Sequence, residues 1–220
     1  MATRTNSSRE RILATAESLI LQKGYVGTSI EDILEKAAIT KGGFFYHFNG
    51  KSALAEALVE RYLEQDQQVF GDLLARADSL SEDPLQRLLI FLNLLAEMVG
   101  GMTSTHPGCL VAAFTYEMQQ FDDIVRQRMK DGLMEWRTMV LDRLTVIAGR
   151  YPARVPVSIE TLADMFSSCL EGGIVLARVL DDNKALIEQV HAYRTHLRLV
   201  FDPTVTVAAP DRATPAMTSP

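Results

Sequence analysis

The sequence has little cysteine, one tryptophan and no long uninterrupted apolar run. Two cysteines, Cys109 and Cys169, give no disulfide framework. Asn93, Glu97, Asp164, Glu171 and Arg178 interrupt every stretch that would otherwise approach membrane-spanning length. The first residues are polar and lack the apolar segment of a signal peptide. A reduced, cytoplasmic setting without a membrane is expected. Alternating β-branched residues are scarce before the C-terminal tail, while Leu, Ala, Ile, Val and Met dominate, which predicts an all-α fold. Several kinds of chemistry are missing too. No dinucleotide-binding glycine pattern, zinc-ligand spacing or nucleophile elbow occurs. Gly50-Lys51-Ser52 ends like a phosphate loop, but position 45 is Phe where that motif needs Gly. His191 and His196, five apart, point to different sides of a helix. His106 and Cys109 could be drawn as a thiol dyad, but no oxyanion or orienting group accompanies them. No enzyme activity, cofactor or metal is expected.

Net charge is −6, unevenly spread. Residues 1–62 carry about +1, with Arg4, Arg9, Arg11, Lys41 and Lys51 able to line one surface, and the remainder carries −7. Within the first part, the stretch from Thr28 to Lys51 organises the chain. Thr28 and Glu31 have capping-box spacing, and Ile30, Ile33, Leu34 and Ala37 share one helical face. The pattern breaks at Ala38-Ile39 and restarts at Thr40, predicting two helices joined by a short turn. The second helix holds adjacent glycines, Gly42 and Gly43, each costing roughly 1 kcal/mol relative to Ala. Close approach to another surface, such as a DNA major groove, is one offset for that cost. A plain amphipathic segment of a helical protein is the competing reading.

Residue detail separates the two. The run RERILATAESLILQKGYVGTSIEDILEKAAITKGGFFYHFNGKSALAEALVERY resembles the N-terminal domain of TetR-family transcriptional regulators. It carries Phe45-Tyr46-His47-Phe48, followed by Lys51-Ser52-Ala53-Leu54, where that family ends its recognition helix and opens the next. The resemblance implies a three-helix helix-turn-helix domain followed by a larger α-helical ligand-binding and dimerisation domain, about nine helices in all. It implies a homodimeric regulator, most simply a repressor released from a palindromic double-stranded operator by a small-molecule inducer. Thr28 and Thr40, at helix N-termini, are expected to hold phosphate. Lys41 is expected at a guanine edge or a phosphate, Tyr46, His47 and Lys51 at the phosphate backbone, and Gly42 and Gly43 where the helix sinks into the groove. Phe44 and Phe48 belong to the core.

Residues 1–55 form the expected DNA-binding domain, 56–201 the sensing and dimerisation domain, and 202–220 a disordered tail. Residues 1–6 read as a mobile arm before a helix capped by Ser7 and Glu10 and ended near Gly24. A fourth helix runs from Lys51 to about Leu74, a fifth over Leu85–Val99, a sixth from Cys109, a seventh over Asp122–Gly149, an eighth over Ser158–Leu180 and a ninth over Asn183–Phe201. The last two helices are apolar on more than one face. They suit either a central place in one subunit or, as the resemblance implies, a four-helix interface with a second subunit, where Gly172-Gly173 would allow close approach.

Phe91, Leu95, Met98, Cys109, Phe114, Met118, Met134, Trp136 and Phe166 are candidate walls of a ligand pocket, though Met and aromatics at helical spacing also serve as plain core. Cys109 follows the turn His106-Pro107-Gly108 into an apolar helix. A helix N-terminus and a cationic His106 would favour its thiolate, making redox or electrophile sensing the alternative to reversible ligand binding. A small buried hydrophobe is the other reading of that cysteine.

Overall fold

The computed structural model describes residues 2–205, with side chains from Ser8 onward. Among them are nine α-helices, α1 (Ala2–Lys23), α2 (Ile30–Ala37), α3 (Lys41–His47), α4 (Lys51–Leu80), α5 (Pro84–Gly100), α6 (Leu110–Thr115), α7 (Asp123–Arg150), α8 (Ile159–Leu180) and α9 (Lys184–Phe201), and a 3-10 turn at Met118–Gln120. The all-α expectation holds.

Helix starts follow their capping residues. Ser29, not Thr28, begins α2: its hydroxyl accepts the Asp32 N–H at 3.0 Å, and the Asp32 carboxylate accepts the Ser29 N–H at 2.8 Å. Thr40 caps α3 by accepting the Gly43 N–H at 3.1 Å. Asp83 followed by Pro84 opens α5, Asp122 opens α7 and Ser158 opens α8. Between α2 and α3 the chain reverses through Ala38 in the left-handed conformation, with φ 51°.

Three boundaries differ from the sequence reading. α1 extends back to Ala2, so Ser7 and Glu10 lie inside a helix and residues 2–6 are not a separate arm. α4 continues past Leu74 to Leu80. At the C-terminus, Arg154 donates to the carbonyls of Asp202 and Val205 at 2.8 and 2.6 Å, so the chain stays anchored through residue 205. The rest of the expected tail, 206–220, lies outside the described residues.

Two hydrophobic cores form. The first joins α1, α2, α3 and the first half of α4, and it also takes Leu110 and Phe114 of α6 and Val125 and Met129 of α7. The second joins the remainder of α4 to α5, the far half of α7, α8 and α9. Cys109 and Trp136 touch both. The buried Tyr193 of α9 donates to the Leu162 carbonyl of α8 at 2.9 Å. Gly173 is explained inside the subunit: a β-carbon there would lie 2.7 Å from Leu186 of α9. Gly172 faces open space instead, beside an exposed stripe of Val175, Leu176, Val179 and Leu180. The second apolar face of α8 is therefore this stripe, not the Gly173 side.

Candidate functional site

The helix-turn-helix is packed from inside. Phe44 and Phe48 are buried against α1 and α4, with their rings 5.7 Å apart, as expected of core residues. This turns the opposite side of α3 outward. Thr40, Lys41 and Gly42 are exposed at its start, and Tyr46 is 75% exposed near its end. A β-carbon at Gly42 would meet nothing within 4 Å, so nothing inside the chain requires that glycine. At Gly43 it would press on Ile39 at 3.1 Å and Thr40 at 3.3 Å, an internal reason for the second glycine. His47 is half-buried and hydrogen-bonded to Ser8 of α1 at 2.8 Å.

Two residues expected on this surface are elsewhere. Thr28 is fully buried, and its hydroxyl donates to the Gly24 carbonyl at 2.8 Å, leaving no surface for a phosphate. The half-buried Lys51 donates to the Tyr25 carbonyl and sits 4.1 Å from the centre of the Tyr25 ring. Tyr25 returns the contact, its hydroxyl donating to the Lys51 carbonyl at 3.2 Å. Burial lowers the Lys51 pKa, against the pull of Glu117 and Asp32. Lys51 thus fastens α4 to the corner after α1.

That corner is gripped from two more directions. The Glu117 carboxylate, just past α6, accepts the N–H groups of Tyr25 and Val26 at 2.8 and 2.7 Å. Arg178 of α8 donates to the Leu21 carbonyl at 2.8 Å, covering the end of α1. Sequence separations of 91 to 157 residues hid these contacts from local reading.

A cavity of about 370 Å³ opens between α4, α5, α6, α7 and α8. Leu95, Met98, Cys109, Trp136 and Phe166 line it, as expected. Four expected wall residues do not. Phe91 is fully buried in the core behind, its ring 6.1 Å from Phe166. Phe114 stacks on Phe121 at 4.4 Å and touches Tyr25 at 5.4 Å, in the N-terminal core. Met118 packs against that same core, and Met134 is exposed on α7. The lining also includes residues the sequence reading missed: Tyr62, Asp66 and Phe70 of α4, His106, and Glu171 of α8. Their signal was present, since 62, 66, 69 and 70 share one helical face and place a carboxylate within an apolar stripe.

The surroundings of Cys109 disfavour its thiolate. It caps α6, accepting the Ala112 N–H at 3.4 Å, but burial, with the Glu171 carboxyl adding, pushes its pKa up to about 11. His106 is not the expected cation: burial and then Arg178 lower its pKa, and its Nδ1 accepts the Gly108 N–H at 3.2 Å. Both shifts run against the thiolate-sensor and thiol-dyad readings.

Comparison with known proteins agrees with this two-part architecture. A family model described as bacterial regulatory proteins, tetR family, matches residues 12–58, and one described as transcriptional regulator LmrA/YxaF-like, C-terminal domain, matches residues 84–192. The transcriptional regulator AcuR of Cereibacter sphaeroides is 31% identical over 167 residues, 73% of this chain and 71% of its own. The chain belongs to the TetR family of transcriptional regulators. It is also similar to the transcriptional repressor DhaR of a Mycobacterium species, with 23% identity over 82% of this chain and 87% of the relative. A TetR regulator from Chloroflexus aurantiacus superposes with a TM-score of 0.74 and 25% identity, over 90% of this chain and 98% of that one. As a TetR-family regulator, the protein joins an operator-binding N-terminal domain to a ligand-binding C-terminal domain. None of its described helices is long and apolar enough to cross a membrane.

Proposed function

We propose that this regulator is a homodimeric repressor that leaves a palindromic operator when a small molecule fills the cavity beside Cys109. One observation carries the reading: a single short segment belongs to both sites. Cys109, at the start of α6, lines the cavity, and Glu117, just beyond α6, holds the backbone of Tyr25 and Val26 beneath the helix-turn-helix. A ligand that displaces α6 changes the seat of the DNA-binding unit, which occupies residues 1–55 in this reading. The relative DhaR, named a repressor, supports the sign of regulation. Thr40, Lys41, Gly42 and Tyr46 are the operator contacts, with Gly43 shaping the helix start and His47 positioning α3 through Ser8. Dimerisation uses the exposed stripe Val175, Leu176, Val179 and Leu180 with Leu199 of α9, faces that a second copy would cover as a four-helix contact.

Selection from a random duplex pool tests this. The reading requires enrichment of an inverted repeat, its half-sites about one helical turn or a multiple apart. Lys41→Ala should weaken binding to the selected site; if Lys41 contacts a phosphate, the salt slope falls by about one unit. A pool that never converges on an inverted repeat, or a Lys41→Ala variant with unchanged affinity, refutes it.

A further inference from the structure

The cavity wall is apolar over most of its extent, with Phe70, Leu95, Trp136, Phe166 and Ile174 facing the space. Its charged groups are of one sign. Asp66 of α4 and Glu171 of α8 are half-buried in the lining, and no Lys or Arg lines it among the described residues. Asp66 has neither a hydrogen-bond donor nor a cationic partner among those residues. The charge acting on it most directly is Glu17, of the same sign, which is itself paired with Arg61. Glu171 has a weak donor, the Cys109 thiol. Other partly covered carboxylates among the described residues are matched: Asp83 accepts the Gln86 N–H, and Asp78 takes the Arg143 guanidinium. Buried carboxyl groups are ordinarily hydrogen-bonded or ion-paired. Here the chain sets two acceptors on a cavity, giving Glu171 only a thiol and Asp66 no donor among the described residues. Outside, the cavity continues through Tyr62, Asp66, Val69 and His106 into a depression edged by Glu17.

We propose that the effector is a lipophilic cation, an amine or ammonium group on an aromatic or branched aliphatic body, its charge beside Asp66 and Glu171 and its body against Phe70, Trp136 and Phe166. This rests on the effector-cavity reading above. A volume of about 370 Å³ is in the range that holds a small drug-sized body. Cationic nitrogen supplies the donor that Asp66 lacks and a stronger one than the thiol that Glu171 has, and an apolar body displaces water from the remaining wall.

The test is calorimetric titration of the full-length protein near pH 8 with three probes sharing one apolar body: 4-phenylbutylamine, 4-phenylbutan-1-ol and 4-phenylbutyrate. The amine should bind about tenfold or more tighter than the alcohol, consistent with a hydrogen bond to a charged group, and the acid should bind most weakly. Asp66→Asn and Glu171→Gln, made separately, should each remove most of the amine's advantage and change the alcohol's affinity far less. Both variants preserve side-chain shape, and if one does not fold, the other and the wild-type series still decide. Equal binding of amine and alcohol, tighter binding of the acid, or an advantage unchanged in both variants overturns the cation proposal while leaving the effector cavity in place. Failure of all three probes to bind overturns both.

Discussion

Replacing Asp66 by Asn should stabilise the ligand-free protein at alkaline pH and progressively less as pH falls. Burial first, and then the Glu17 carboxylate, push the Asp66 carboxyl up to about 7. In an unfolded chain an aspartate titrates near 3.9. Between those two values the folded protein keeps a proton that the unfolded chain has released. The unfolded state binds fewer protons there, so stability falls as pH rises through the window and levels off above about 7. A difference of about three units, at about 1.4 kcal/mol each, sets an upper bound of about 4 kcal/mol. Water reaching Asp66 through the mouth screens its charge, which brings the expected value to about 2 kcal/mol. Asn fills the same space and carries no charge. Urea denaturation of wild type and variant, at one protein concentration and at several pH values between about 5 and 8.5, gives the difference directly. The variant's advantage should widen with pH up to about 7.5 and then hold constant. Parallel pH profiles for the two proteins, or a variant less stable than wild type at pH 8, would refute the account of Asp66 as an unmatched, half-buried carboxyl.

Three further outcomes are expected. Lys51→Ala should cost about 1–2 kcal/mol of stability, read by denaturant midpoint, through loss of the bond to the Tyr25 carbonyl, while the salt slope of operator binding stays as in wild type; a slope lower by one would mean that Lys51 reaches a phosphate after all. Val179→Arg, at a position 77% exposed on the α8 stripe, should give monomers by sedimentation and abolish tight operator binding; a stable variant dimer would place the interface elsewhere. Iodoacetamide near neutral pH should label Cys109 no faster than an ordinary thiol, because burial holds it protonated; labelling of Cys109 well ahead of Cys169 would restore the thiolate reading.

Helix order and class were legible because they depend on short-range patterns. Phe44 and Phe48, the residue that ends α3, sit four apart, and both are apolar enough to be sent inward. Register is harder. Thr28–Glu31 and Ser29–Asp32 have identical spacing, and what separates them is the Gly24 carbonyl, which draws the Thr28 hydroxyl back into the core and leaves Ser29 to cap. Lys51 illustrates a different limit. A lysine in the first turn of a helix beside a recognition helix reads as a phosphate ligand, and a tyrosine 26 residues earlier claims it instead. The cavity was half legible for a third reason. Periodicity says that Phe91 and Phe166 both point inward, but not whether the space each faces is filled. Phe91 meets packed side chains, and Phe166 meets packed side chains on one side and the void on the other.

The corner from Leu21 to Val26 connects these observations. It leaves α1 and enters the helix-turn-helix, and its backbone polar groups are satisfied by side chains from three distant elements: Arg178 of α8 at Leu21, Glu117 past α6 at Tyr25 and Val26, and Lys51 of α4 at Tyr25. Backbone groups at a helix end need partners, and two of these, Glu117 and Arg178, come from beyond residue 55 and tie the orientation of α1 to the larger helical part. The same elements meet the cavity: α4 through Asp66, α8 through Glu171, and α6 through Cys109. Each polar grip on the corner is therefore carried by, or directly follows, an element that also lines the cavity, so under the proposed function a bound ligand need move these elements little to alter the partners of this backbone. A packed core accommodates such a change by switching between discrete arrangements instead of deforming smoothly. In the proposed function the unmatched Asp66 and the matched corner are two ends of one arrangement: a polar group left open at the cavity, and polar groups closed where the helix-turn-helix is seated.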